Sequence, residues 1–431
     1  MKIKKLFLIL FFLGLGIWGA YRFFLLDILY PYNKEFKKFV IESSSPIENI
    51  DPKNETYDGF DKIASAIGDS RVVFLGEQDH GDAPTFLAKT KIIKYLHEKM
   101  GFNVLVFESN FLGLNRSLAN AEELRFSTSS QYKDFIFPIW TNCRECSELF
   151  NYIDSKKSTD NPILISGMDP QVYSSEEGPF PIDYLISDLA RNNVFRDSTE
   201  WKNITRSLRT LVQDDYEAVL NPSAIDSLES FFKIAESKLK PDSYLHQSLR
   251  SFRGFALSAL DTSESNNARD AQMSDNFLWL KDHVFSEEKI LVWASNSHLF
   301  KGYRDLPYSI HPSDSINAGT LIADKIEDEL YVLGFTSNRG KAGRLYKEKY
   351  DLSPPNRNSF EAFIEETDVE YAFIDFKANR FDENRNQRFW MKSITHSPNN
   401  FYWTKMFDGI FYIEEMYPCS DVLGIDQFAI E

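Results

Sequence analysis

The chain has 431 residues, 43% of them hydrophobic and 26% charged, a globular composition with enough apolar material for one large core or two smaller ones. Acidic residues outnumber Lys plus Arg by 64 to 48, and no basic run occurs beyond the first five residues, so a nucleic-acid partner is excluded: phosphate binding needs a basic face. Three cysteines, Cys143, Cys146 and Cys419, are too few for a fold built on disulfides.

At the N-terminus, Lys2, Lys4 and Lys5 precede Leu6–Ala20, fifteen residues without a charge, and Phe23–Leu26 resume the apolar run. Trp18 suits a signal-peptide cleavage site badly. We expect residues 1–30 to form an uncleaved signal-anchor, a transmembrane helix with its lysines in the cytoplasm. The membrane is then a partner, and the rest of the chain lies on the extracytoplasmic side. Residues 31–58 are turn-rich and read as a linker, so the folded α/β domain is expected over 59–431.

The domain opens on Arg71-Val-Val-Phe-Leu-Gly-Glu-Gln-Asp-His-Gly81. Val72–Leu75 suits a short strand covered on both faces, and it breaks at Gly76 to release Glu77 and His80. Asp82–Met100 reads as a helix, with Asp82 as its cap, Pro84 in the first turn and Gly101 at its end. Val104–Phe107 is a second strand ending in Glu108, which completes a β-α-β unit. Ser109–Leu124 reads as loop and helix, and Phe137-Pro-Ile-Trp140 is an aromatic patch. Cys143-x-x-Cys146 lacks the second pair or neighbouring histidine of a zinc site and reads as two incidental cysteines. Ser147–Lys156 is helical, and Pro162–Ser166 is a third strand leading to Asp169.

From about residue 180 to 285 apolar spacings recur without a strand, which marks a helical insertion. It either caps the site or packs on the sheet, and its last helix carries Arg269. Lys289–Ala294 is a clear strand running into Ser295-Asn296-Ser297-His298. Glu329–Phe335, Tyr371–Phe376 and Gly409–Ile413 complete the strand candidates. The fold class is therefore α/β, a central mostly parallel sheet flanked by helices.

Four strand ends thus deliver Glu77 with His80, Glu108, Asp169, and Asn296 with His298. A parallel sheet brings such ends to one edge, where open α/β sheets bind ligands. A histidine can take a proton from water, a carboxylate can orient it, and a second histidine or an amide can hold an oxyanion. Two histidines and two carboxylates can also hold a divalent ion, and this alternative stays open. No Walker loop, Gly-x-Gly-x-x-Gly, nucleophile elbow or His-Glu-x-x-His is present.

At these residues the chain resembles the erythromycin esterase family. The likeness rests on Leu75-Gly-Glu-Gln-Asp-His-Gly81, Phe107-Glu108, Ile139-Trp140, Gly167-Met-Asp169, Arg269-Asp270 with Met273 and Asn276, and Val292-Trp-Ala with Asn296 and His298. It implies a hydrolase that activates water with His80 to open an ester, open-chain or lactone, or an amide, and with it a link to antibiotic resistance. Catalytic roles fall to His80, Glu77, Glu108 and His298; Lys89, Trp140, Asp169, Arg269 and Asn296 line the substrate. No cofactor is required by this reading. The rival readings are a divalent-metal hydrolase with His80, His298, Glu77 and Glu108 as ligands, and a non-catalytic surface binding module. The latter is motivated by Ser295, which stands where the family has a histidine.

Overall fold

The computed structural model describes residues 34–119, 132–174, 180–212, 222–260, 265–306, 315–379 and 386–422, with a few positions between 11 and 19. Most of the expected anchor therefore lies outside the described residues. Among those described, no helix is long and apolar enough to cross a membrane.

The expected linker is folded from residue 34 onward. Helix α1 (Lys34–Ser43) buries Phe36, Phe39 and Val40, whose i, i+3, i+4 spacing makes one apolar stripe. Strand β1 (Ser45–Pro46) follows it onto the sheet. Helix α2 (Phe60–Ile67) precedes β2 (Val72–Leu75), and α3 (Ala83–Met100) connects β2 to β3 (Phe102–Asn110). Short helices α4 (Phe111–Leu114) and α5 (Pro138–Thr141) and helix α6 (Ser147–Lys156) lead to β4 (Leu164–Asp169). This strand starts and ends later than the sequence suggests, so Asp169 is its last residue.

Among the described residues from 181 to 279 the elements are all helices, as the spacings indicate: α7 (Pro181–Arg191), α8 (Ser198–Leu211), α9 (Pro222–Lys238), α10 (Tyr244–Leu260) and α11 (Ser265–Trp279). Then come β5 (Lys289–Trp293), α12 (Asn296–Leu299), α13 (Ala318–Ile326), β6 (Leu330–Ala342) and β7 (Tyr350–Asp351). The described chain closes with α14 (Phe360–Glu365), β8 (Tyr371–Asp375), the hairpin β9 (Phe389–Ile394) and β10 (Ser397–Phe401), and β11 (Gly409–Met416).

Within the described residues one large sheet runs in the order β1-β8-β11-β6-β2-β5-β3-β4, with β7 beside β6, and the β9–β10 hairpin is a separate two-stranded sheet. Every pairing from β11 to β4 is parallel; β8 and β1 add an antiparallel edge. The strands alternate between two cores. Val72, Phe74, Val104, Val106, Ile290 and Val292 face the layer built from the 181–285 helices, α1 and α13. Val73, Leu75, Leu105, Phe107, Leu291 and Trp293 face α2, α3 and α6. The long helical segment is thus a core layer on one sheet face, and α11 also reaches the site. β5 returns between β2 and β3, so the ends of β2, β5, β3 and β4 stand side by side.

Candidate active site

Gly76 ends β2 because nothing larger fits: a Cβ there would lie 1.8 Å from Asn296 Oδ1. The chain turns sharply and sends Glu77 inward, where it is fully buried. Its Oε1 meets His80 Nδ1 at 2.7 Å and accepts from Trp140 Nε1 at 3.2 Å; its Oε2 accepts from Lys89 Nζ at 2.7 Å. A turn with two intervening residues lets Glu77 and His80 face each other, and α3 puts Lys89 two turns in. Lys89 is completely buried, with Nζ 3.9 Å from the centre of the Trp293 ring. Burial lowers the Lys89 pKa, and Glu77 opposes this. Lys89 therefore sits behind Glu77, holding it, and does not face the solvent-accessible side. Trp140 also stands edge-on to the His80 ring, with centroids 5.6 Å apart.

Glu108 occupies the middle of the constellation. Its Oε2 accepts the Ser295 N–H at 2.9 Å, and its Oε1 accepts from Arg269 Nη2 at 2.9 Å. The same oxygen lies 3.3 Å from His298 Nε2 and 3.9 Å from His80 Nε2. Burial acts to raise the Glu108 pKa, but His298, His80, Arg269 and the Ser295 amide outweigh it and hold the carboxyl at about 2. Asp169, at the end of β4, grips Arg269 twice, Oδ1 to Nε at 3.2 Å and Oδ2 to Nη2 at 2.5 Å. Asp169 is buried and serves to aim the guanidinium.

His298, on α12, hands Nδ1 to Asp270 Oδ1 at 2.8 Å. Asp270, itself fixed by the Ala318 N–H at 2.9 Å, is a site residue that the sequence reading misses; its signal is adjacency to Arg269 on one helix. His298 Nε2 has two uses. Bare, it accepts from Arg269 Nη1 at 3.1 Å; protonated, it donates to Glu108. Burial lowers the His298 pKa, but Asp270 and Glu108 raise it beyond its ordinary value, which favours the second arrangement. In that arrangement Nε2 no longer accepts from Arg269 Nη1.

Asn296 is engaged elsewhere. Its Nδ2 donates to the Phe335 and Ser393 carbonyls at 2.9 and 2.6 Å, and its N–H donates to the Glu77 carbonyl at 2.7 Å. It ties the end of β5 to the middle of β6 and to the end of β9. Three side chains keep a solvent-facing edge: His80 at 13%, Arg269 at 16% and His298 at 16% exposure. Everything that orients them is buried beneath.

The metal alternative does not fit these residues. Glu77 and His80 Nδ1 are committed to each other and to Lys89, and the Arg269 guanidinium stands against both Glu108 and His298, where a cation would have to sit. Among the described residues, the compact metal-type grouping is instead Cys143, Glu145 and Cys419. There the two cysteines are joined as a disulfide with Cα atoms 5.6 Å apart, which corrects the reading of Cys143 as incidental; Cys146 is the free, buried member of the pair.

A family model described as erythromycin esterase matches residues 97–416. The chain belongs to the erythromycin esterase family. This family member is an enzyme, a hydrolase. It is 24% identical to the putative hydrolase YbfO of Bacillus subtilis over 86% of this chain and 89% of that protein. It is also 24% identical to the erythromycin esterase type II of Escherichia coli, over 88% and 97%. Solved structures share its fold. One titled as a succinoglycan biosynthesis protein superposes with a TM-score of 0.71 at 16% identity, covering 90% of this chain and 98% of that one. An erythromycin esterase mutant in its open conformation superposes with a TM-score of 0.65 at 14% identity, covering 88% and 99%.

Proposed function

We propose that this hydrolase cleaves an ester, open-chain or lactone, in a small-molecule substrate by water activated at His80. The observation that carries this reading is the convergence of two imidazoles and a guanidinium on Glu108 at four adjacent strand ends. Glu77 takes the Nδ1 hydrogen of His80, so Nε2 presents its lone pair to the site. Lys89 and Trp140 keep the Glu77 carboxylate aimed. A water donating to His80 Nε2 and to Glu108 has its oxygen directed outward. As it attacks the carbonyl carbon, its proton passes to Nε2, and the carbonyl oxygen becomes an oxyanion facing Arg269 Nη1. Collapse expels the alkoxide, which recovers the proton from His80.

Ser295 does not argue against turnover. What this position gives Glu108 is its backbone N–H, which any residue supplies. The side chain pairs with Ser297, Oγ to Oγ at 2.6 Å. The binding-module reading loses its motive on this ground.

The Cys143–Cys419 disulfide supports an oxidising, extracytoplasmic location, because such bonds are rare in reducing compartments. Membrane anchoring through residues 1–30 remains part of the proposal.

The test incubates the full chain, beside His80→Ala, with aryl esters and erythromycin-type macrolactones, and follows addition of one water by mass spectrometry. Turnover lost in a folded His80→Ala protein is the expected result. Wild-type turnover in that variant would sink the mechanism.

A further inference from the structure

His396 lies outside the strand-end constellation, yet its imidazole bridges two buried groups. Ser337 Oγ stands 3.3 Å from Nδ1, and Asp82 Oδ1 stands 2.9 Å from Nε2. The connectivity resembles a Ser–His–Asp nucleophile, but Ser337 is fully buried within β6 and offers no path to a substrate. The other end of the chain of contacts is more informative. Asp82 Oδ2 accepts the Asp79 N–H at 2.9 Å, and Asp79 Oδ1 accepts the His80 N–H at 2.8 Å and Arg344 Nε at 2.7 Å. Asp82 thus does not cap α3 with its side chain, as its sequence position suggests; it points back into the loop.

The hairpin that carries His396 is held in an unfavourable form. Its two turn residues, Thr395 and His396, have φ of 49° and 55°, left-handed backbone that favours glycine or asparagine over a β-branched residue. Such a conformation persists only where surrounding contacts fix it. Those contacts are with the loop bearing Glu77 and His80. The Thr395 N–H donates to the Gln78 carbonyl at 3.1 Å, and Gln78 Nε2 donates to the Lys392 carbonyl at 2.7 Å.

We propose that His396 is a positioning residue for His80, acting through Asp82 and Asp79 to hold the loop that presents the general base. The proposal rests on the hydrolase reading for its kinetic arm only. Histidine suits the task because Nδ1 accepts from Ser337 while Nε2–H donates to Asp82, two bonds reaching opposite ways. Asparagine reaches Ser337 but stops one bond short of Asp82, and it tolerates left-handed φ. Glutamine reaches the Asp82 side.

The experiment uses the full chain labelled with 15N-histidine. The Nδ1–H of His80, bonded to Glu77, gives a downfield proton signal assigned by its loss in His80→Ala. In His396→Asn that signal broadens or disappears, and kcat on a responsive aryl ester falls about ten- to hundredfold at unchanged KM, the effect of a misplacement of about 1 Å. His396→Gln retains both. In the wild type, His396 carries its hydrogen on Nε2. A signal and kcat left intact in His396→Asn, equal loss in both variants, or hydrogen on Nδ1 of His396 would overturn the proposal. If no ester is turned over by wild type, the hydrolase mechanism fails while the NMR arm still decides the positioning role.

Discussion

Replacing Glu108 by glutamine removes one charge from the centre of the site without changing its shape, and the structure sets the size of the effect. The Glu108 carboxyl is held at about 2 instead of its ordinary 4.5, despite burial that acts the other way. At about 1.4 kcal/mol per unit, the ionised carboxylate contributes on the order of 3 kcal/mol to folding at neutral pH. The sign follows from the depressed value. The contribution is complete above the unfolded pKa, declines below about pH 4.5 and is gone near pH 2; roughly two-thirds is lost by pH 3. Glu108→Gln lacks it at every pH. Urea unfolding of both proteins from pH 7 to pH 3 should therefore show a gap of about 3 kcal/mol at pH 7 that narrows to about 1 kcal/mol at pH 3. A gap that is constant with pH, or absent at pH 7, would refute the claim that His298, His80 and Arg269 converge on an ionised Glu108.

Other consequences are as direct. Lys89→Met leaves the buried Glu77 charge without its cation and should cost about 3–5 kcal/mol in urea unfolding; a cost under about 1 kcal/mol would mean that Lys89 does not hold Glu77. The raised His298 pKa keeps its cation, and the stability it adds, present below the unfolded value near 6.5 and until pH rises through the higher folded value. If this cation's bond to Glu108 supports turnover, kcat/KM falls as pH rises through the raised folded value in the wild type, and His298→Gln flattens that limb while lowering the plateau. Chelator treatment should leave turnover unchanged, since the site residues do not fit a cation; loss restored by added metal would overturn this. Reduction of Cys143–Cys419, which closes a loop of 276 residues, should lower stability by about 2–5 kcal/mol, read as a shift in the urea midpoint.

Much of the site was legible because it sits where strands stop. A strand buried on both faces is a bare apolar run, so a titratable group at its end stands out, as Glu77, Glu108 and Asp169 do. Parallel order then gathers such ends without further information. The helical segment was readable from spacing, but its place as a core layer depended on which sheet face its stripes cover. Asp270 and the Ser295 amide were harder. One is a carboxylate among 64 acids, and the other acts through backbone, which no side chain announces. His396 belongs to no local pattern, because the β9–β10 hairpin lacks the Asn-Gly turn that marks such hairpins; tertiary contacts hold Thr395 and His396 in the same geometry. The pairing of Cys143 with Cys419 depends on the C-terminal segment lying beside α5, beyond the reach of local pattern.

That segment has a consequence for when the enzyme becomes competent. The Gly81 carbonyl accepts from Cys419, Ala83 donates to the Tyr417 carbonyl, and Arg144 and Asn142 bond Ser420 and Val422. The loop bearing His80 is thus fastened by residues made long after it, and Asp82 waits across 314 positions for His396. At roughly 5–20 residues per second, translation takes tens of seconds to cross that interval. The sheet edge can gather early, but the candidate site is locked only as the last strands arrive, so a chain halted before residue 396 would hold all of the strand-end side chains and still lack their final alignment.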